Sequence, residues 1–317
     1  MTKPQILGIG SSHIDLYLQV DEATFAQFAP PKSRVLDRNS FEDLKKDLVK
    51  RCPGGCAANT IRVLAQLGER CAFLSCVGND KAGSFFLENL KELQIHSHVS
   101  VLPDFTTIQL ICLVNPKGEK RILYPDIKEP ATSFKEAYFQ GIDWTHIDSF
   151  QFEIGNDLEK AMAFTSSPVS FNLGNAEIAA EYRDPILSFL EKRVDLLFGN
   201  EEEIQSLTQL SSEDGCLRLQ EICPIVVMTR GNKGCLIVSK NGLISLPALP
   251  IKAIDSTGAG DFFAGGFLFG YRRGYSLKQC GILGNLLGSA VCEVLGTELP
   301  EKKWMELRIA SQEFSNN

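Results

Sequence analysis

The sequence predicts an α/β protein: a mainly parallel sheet with helices on both faces. Three observations carry this. Short apolar runs alternate with amphipathic helical stretches along most of the chain. Glycines mark several of the joints where a strand passes into a helix. Two segments, about 12–50 and 103–126, break the rhythm with strand-and-turn patterns, so together they are expected to form a small second sheet lying over the first as a lid.

In chain order, residues 6–9 form a short apolar run ending in glycine, a buried strand, and 16–20 alternate in period two, a half-exposed strand. A helix follows Gly54 and Gly55 and runs to Leu67, with Gly68 as its stop. A strand over 72–77 and a helix over 84–93, capped by Ser84, come next. The segments 109–115 and 120–124 flank Pro116-Lys117-Gly118 as a hairpin. Strands are then expected at 150–154, 169–172, 195–198 and 225–229, and helices at 158–164, 185–190, 201–207 and 213–222. A hairpin turning at Asn241-Gly242 and two helices, 258–272 and 277–295, close the series. No linker-like stretch and no internal repeat appear, so residues 1–317 read as one domain.

Composition narrows the function. The net charge is −7 and the basic residues are scattered, which argues against a nucleic-acid surface. No uncharged apolar run approaches the roughly 18 residues of a membrane span, and the amino-terminal stretch lacks the core of a secretory signal. The ten cysteines form no Cys-x-x-Cys pair, and most sit in apolar runs as small hydrophobes. A reducing, cytoplasmic setting is expected. His96 and His98 lie in a polar turn without partners, the pattern of exposed side chains and not of a metal site.

Gly8-Ile9-Gly10-Ser11-Ser12-His13 begins like a dinucleotide fingerprint, but His13 replaces the third glycine and strand follows where a helix is needed. That sets aside a nicotinamide or flavin oxidoreductase. The segment Asp255-Ser-Thr-Gly-Ala-Gly-Asp261 opens a helix. Gly258, Ala259 and Gly260 keep its first turn free of bulk, so unpaired N–H groups can meet an anion where the helix dipole favours one. Asp261 then stands close to a bound phosphate, placed to take a proton from an attacking hydroxyl. Asn200-Glu-Glu-Glu203, at a strand end, reads by itself as a helix capping box; beside a phosphate site the same acids suit a hydrated Mg2+. Thr229, Gly231 and Gly234 surround a tight turn between strands that could line a nucleotide edge. Gly54 and Gly55 allow a polyhydroxy substrate to approach, with Asn59 one turn on and Asp15 as a bidentate acceptor for two hydroxyls.

In this order the motifs Gly54-Gly55-x-x-x-Asn59 and Asp255-x-Thr257-Gly258-Ala259-Gly260-Asp261 resemble the ribokinase/PfkB family of carbohydrate and nucleoside kinases, over about residues 6–300. The resemblance implies a ribokinase-like, Rossmann-type three-layer sandwich with a β lid, ATP as donor, Mg2+, and Asp261 as catalytic base. It implies acceptor binding by Asp15, Gly55 and Asn59, a magnesium–phosphate motif at Asn200 and Glu203, and a nucleotide turn at Thr229 and Gly231. Asn285 is placed near the adenine. Where relatives use K+, its ligands lie in the loops before the catalytic helix, which makes Asp255 and Thr257 candidates. Within the family the adenosine-kinase branch looks nearest, because Asp15 stands five residues after Gly10 and the interval from Asp15 to Gly54 is long. Two departures bear on the acceptor: Thr107-Ile108-Gln109 replaces a common Thr-Gly-Thr, and Arg34 stands where an uncharged residue is usual.

The expectation is therefore a monomeric or homodimeric kinase acting on a small molecule, adenosine favoured, with a sugar as the alternative acceptor. A catalytically silent ligand-binding regulator on the same fold is the rival of another class.

Overall fold

The computed structural model describes residues 3–28, 35–36, 38–45, 48–117 and 119–313. Arg34 and Gly118 lie outside the described residues. Nine strands form the main sheet, in the order Gly242–Leu246, Cys235–Ser239, Ile225–Thr229, Leu196–Asn200, Val169–Asn172, Trp144–Asp148, Ile6–Ile9, Cys71–Leu74 and His96–Ser97. All neighbours run parallel except at the Cys235–Ser239 strand, which is antiparallel on both sides.

Side chains alternate across a strand, so a sheet buried on both faces needs two cores. Ile6, Phe73, Phe198, Val227 and Ile237 face one core, which they share with the helices Cys56–Gln66, Lys81–Glu92, Ala259–Arg272 and Leu277–Cys292. Leu7, Leu74, Phe171, Leu197 and Met228 face the other, with Arg183–Arg193, Glu201–Thr208 and Ser212–Gln220. The result is three layers. Parallel strands all present their carboxyl ends at one edge, and that edge collects Ser11, Ser75, Asp148, Asn172, Asn200 and Thr229.

A second sheet has the order Val35–Leu36, Lys120–Pro125, Ile108–Val114, His13–Gln19 and Lys50–Gly54. The hairpin 108–125 is antiparallel, with Lys120 opposite Val114. Strand His13–Gln19 is buried from Ile14 to Leu18, not half-exposed, because it lies inside this sheet with neighbours on both sides and the first core beneath Ile14, Leu16 and Leu18.

Four other expectations need correction. The segment 150–154 is a helix, Phe150–Ile154, closed by Gly155 in the left-handed conformation, and the strand is the preceding Trp144–Asp148. Over five residues Phe-Gln-Phe-Glu-Ile suits either period, and the glycine decides. The 72–77 strand breaks at Ser75; Cys76–Gly78 pairs instead with Ser100–Leu102. Asp80, not Ser84, caps the helix Lys81–Glu92, accepting from the Gly83 N–H at 2.8 Å. His98 is not a free exposed ring: it stacks on Tyr138 with centroids 4.3 Å apart. A further helix, Glu301–Glu313, buries Trp304 against Phe262.

One contact sets the spacing of the two glycine motifs. Helix Ala259–Arg272 crosses Cys56–Gln66 at Gly265, where an added Cβ would stand 2.5 Å from Val63 Cγ1 and 3.3 Å from the Thr60 carbonyl. Alanine there would gain helix propensity, but the crossing would have to open. Gly265→Ala is expected to lower unfolding stability by about 1–3 kcal/mol, read from the midpoint of urea denaturation; an unchanged or raised midpoint would show that the crossing tolerates expansion.

Candidate active site

The helix Ala259–Arg272 starts at Gly258, which adopts φ +73°, and a Cβ there would meet Thr297 Cγ2 at 2.8 Å. Glycine is required on both counts. The first bond of the regular helical ladder comes from the Phe262 N–H to the Gly258 carbonyl at 2.8 Å, so the N–H groups of Gly260 and Asp261 precede that ladder. Among the described residues, a Cβ on Gly260 would find nothing within 4 Å. The turn thus offers free N–H groups beside open space, the shape an anion fits.

Asp261 lies in the first turn and is buried. Its two oxygens accept from two asparagines: Asn59 Nδ2 reaches Oδ2 at 2.9 Å, and Asn172 Nδ2 reaches Oδ1 at 3.1 Å. Burial pushes its carboxyl up to about 7; the bond from Asn59 opposes this, Asp148 and Glu203 add to it, and Lys120 works against it. Thr60 Oγ1 donates to the Asp261 carbonyl at 3.2 Å, tying the two helices at this point.

The turn before Asn59 is equally constrained. Gly55 has φ +110°, and a Cβ on it would strike the Ser11 carbonyl at 2.2 Å; one on Gly54 would meet His13 at 2.5 Å and Asp15 Oδ2 at 2.7 Å. Asp15 is buried and stands 3.4 Å from His13 Nε2. The structure therefore places Asp15, Gly54, Gly55, Asn59, Gly258 and Asp261 in one connected group. Thr107 belongs to a neighbouring turn, where its hydroxyl accepts from the Gly78 N–H at 2.9 Å.

Several of the remaining expected residues are engaged with partners outside this group. Asn200 and Glu203 form a full capping box: Oδ1 accepts from the Glu203 N–H at 2.9 Å, and the Glu203 carboxylate accepts from the Asn200 N–H and Nδ2, each at 2.8 Å. Glu203 is buried, and burial raises its carboxyl to about 7. Asp255 Oδ1 accepts from the Thr257 N–H at 2.9 Å and hydroxyl at 2.6 Å, and Oδ2 from the Gly296 N–H at 2.9 Å. Thr229 ends its strand, Gly231 begins a single 3-10 turn, and Gly234 is needed because a Cβ would lie 2.0 Å from the Leu246 carbonyl. Asn285 donates to the Pro247 carbonyl at 3.1 Å. Among the described residues no group of three or more His, Cys, Asp or Glu side chains is arranged to ligate a metal.

Sequence reasoning missed Asn172, Asp148 and Glu129. The first two end parallel strands at the ligand-binding edge, and the strand-end rule would have found Asn172. Asp148 was hidden by the misplaced strand; its Oδ2 accepts from the Ala57 N–H at 3.1 Å, and burial lifts its carboxyl to about 6. Glu129 follows the hairpin and has no motif around it. Its carboxylate accepts from the hydroxyls of Ser11 and Ser75, and burial holds it at about 7.

These buried acids have a stability cost with a definite sign. Glu129 unfolded titrates near 4.5 and folded near 7, so between those values the folded state keeps a proton the unfolded chain has released, and stability falls as pH rises. Glutamine carries no charge, and the serine hydroxyls can rotate to suit it. Glu129→Gln should match the wild type below about pH 4.5 and become more stable by on the order of 2–3 kcal/mol above pH 7, measured by thermal unfolding across pH. A constant difference over that range would contradict this.

Residues 20–304 match the family described as pfkB family carbohydrate kinase. The nucleoside kinase of Methanothermobacter thermautotrophicus is 28% identical over 319 residues, covering 92% of this chain and 91% of that protein. Adenosine kinase from Sinorhizobium meliloti superposes with a TM-score of 0.87 at 22% identity, covering 98% and 100% of the two chains. A ribokinase II candidate from E. coli, in complex with ATP and Mg2+, superposes with a TM-score of 0.78 at 21% identity, covering 99% of each chain. The two structural likenesses establish the ribokinase-type fold, and among the described residues no helix is long and apolar enough to cross a membrane. With a family match spanning most of its length and both glycine motifs joined at one buried aspartate, the chain belongs to the pfkB family of carbohydrate kinases and is a phosphotransferase with an alcohol group as acceptor.

Proposed function

We propose that the protein transfers the γ-phosphate of ATP to the primary 5′-hydroxyl of a nucleoside, with adenosine the first candidate. The observation that carries the reading is Asp261: a buried carboxylate held by two amide donors at a helix start whose free N–H groups border open space. In this reading Asp261 takes the proton of the attacking hydroxyl, and its raised affinity for protons suits a base working near neutrality. The N–H groups of Gly260 and Asp261 stabilise charge building on the phosphate oxygens, whereas that of Ala259, also expected there, donates to the Ser256 carbonyl at 3.3 Å. Asp15 accepts from two neighbouring hydroxyls of the acceptor, and the missing side chains at Gly54 and Gly55 let the acceptor come close. Asn59 keeps one amide hydrogen for the acceptor beyond the one given to Asp261. The second sheet closes over the acceptor and excludes water, the competing nucleophile.

In this reading Asn200 and the buried carboxylate of Glu203, at the strand-end edge beside Asp261, would hold a hydrated magnesium ion. Bound there, magnesium supplies positive charge to the phosphate oxygens. Thr229, Gly231, Gly234 and Asn285 lie on the elements that would flank the nucleotide.

The nucleoside reading draws on the relative named nucleoside kinase, aligned over 92% of the chain. Asp15 would serve the ring hydroxyls of a free sugar equally well, which makes a sugar the second reading.

An ADP-release screen over adenosine, other nucleosides, ribose and fructose is expected to give nucleosides at least a tenfold higher kcat/KM, on the order of the 1.4 kcal/mol that one base contact supplies. A hexose or ribose turning over while every nucleoside fails would overturn the acceptor class. Asp261→Asn is expected to lower kcat by about 10³-fold or more while calorimetry shows ATP bound as before. Undiminished turnover in that variant would remove Asp261 from the mechanism.

A further inference from the structure

Arg62 is buried on helix Cys56–Gln66, one turn after Asn59. Its Nη1 donates to the Pro53 carbonyl at 2.9 Å, to Asn59 Oδ1 at 3.1 Å and to Thr297 Oγ1 at 3.3 Å. Among the described residues its nearest carboxylate, Glu298 Oε1, is 3.9 Å away and partly exposed, and its Nε has no partner. Burial lowers its proton affinity below the usual arginine range, with Glu298 opposing. A guanidinium buried with so little charge pairing is a poor device for stability. Its bonds have another use.

Arginine only donates hydrogen bonds. The atom of Asn59 facing Arg62 must therefore be the carbonyl oxygen, which turns Nδ2 toward Asp261 Oδ2. Without Arg62 the amide could rotate and present its oxygen to the carboxylate, a contact that is satisfied only when Asp261 is protonated. The same guanidinium holds Pro53, the residue before the Gly54-Gly55 turn, and Thr297, whose methyl group packs where a side chain on Gly258 would be.

We infer that Arg62 is a positioning residue for phosphoryl transfer, fixing the Asn59 amide so that Asp261 is kept as an acceptor while bracing the two glycine turns against each other. The inference rests on Asp261 acting as the base. The other charged or titratable groups acting on Asp261 are Asp148 from the strand Trp144–Asp148, Glu203 from the helix Glu201–Thr208 and Lys120 from the second sheet, with Cys56 at the start of Arg62's own helix. The first two favour the protonated acid and Lys120 the ionised one. The Asn59 bond is thus one of few influences holding the carboxylate ionised.

The test is the kcat–pH profile of Arg62→Met, Arg62→Lys, Asn59→Leu and the Arg62→Met/Asn59→Leu double variant, using whichever acceptor the wild type turns over. Losing an N–H donor to the ionised form raises the pH at which the base becomes available. Arg62→Met is expected to lower kcat about 10–100-fold and to move its acidic limb up by about one pH unit, with the KM for ATP within about twofold of wild type. Arg62→Lys, which keeps a donor, should recover part of both. Removing Arg62 should cost less in the Asn59→Leu background than in the wild type, because the part of its effect that passes through the Asn59 amide is already lost and only the bracing of the two turns remains. An acidic limb that stays in place in both single arginine variants, or losses that multiply in the double variant, would overturn the inference. Should Arg62→Met not fold, the limb of Arg62→Lys and its product with Asn59→Leu decide in the same way. Asp261→Asn in parallel separates the two levels: activity retained there defeats the base assignment itself, whereas an inactive Asp261→Asn with unmoved limbs defeats only the role of Arg62.

Discussion

A carboxylate stripped of water prefers to hold its proton, and at Asp261 that preference is opposed chiefly by two asparagine amides. Much of the architecture can be traced to keeping those amides in place. Asn59 arrives on one helix, Asn172 at the end of a central strand and Asp261 on a second helix of the same layer, so three elements from two layers have to meet within hydrogen-bond distance. Amide donors suit the task because they stabilise negative charge without cancelling it. A lysine or arginine in the same place would hold the carboxylate ionised but would also lower its basicity.

Close approach is what brings the elements together. Gly265 lets the two motif helices touch at backbone distance, Gly54 and Gly55 leave room for His13, Asp15 and the Ser11 carbonyl, and Gly258 leaves room for Thr297. The glycines of the two motifs are therefore requirements of packing as well as openings for ligands. Beneath the site, two cores on opposite faces of the sheet fix the strand ends that carry Asp148, Asn172 and Asn200.

How much of this the sequence displayed depends on the length scale of each feature. Asp261 and its glycines were legible because a helix start is a local event, written in consecutive residues. Val169–Asn172 and Ile225–Thr229 were legible as buried parallel strands because uninterrupted apolar runs have few other readings. Phe150–Ile154 was not, since five residues cannot separate a period of 2 from one of 3.6 and the decision falls to Gly155. Asn172 and Glu129 escaped for another reason: their partners stand 89 and 118 residues away in the chain, and only the strand-end position of Asn172 hints at its role. The Asn200–Glu203 pair shows the opposite case, where a local capping signal was fully realised and the wider role stays a proposal.

The surroundings of the cysteines bear on their reactivity as well as on their packing. All ten are free, eight are buried and two half-buried, and at each one burial raises the thiol above its usual proton affinity. At Cys56, which opens the Asn59 helix, the carboxylates of Asp261, Asp148, Glu203 and Asp15 add to the effect. Electrophiles and peroxides attack the thiolate, so a cleft lined with carboxylates is also a chemical shield for the sulfur within it. Burial first, and then the same negative charge that surrounds the centre, keep this thiol protonated, so the cysteines of this molecule act as packing volume.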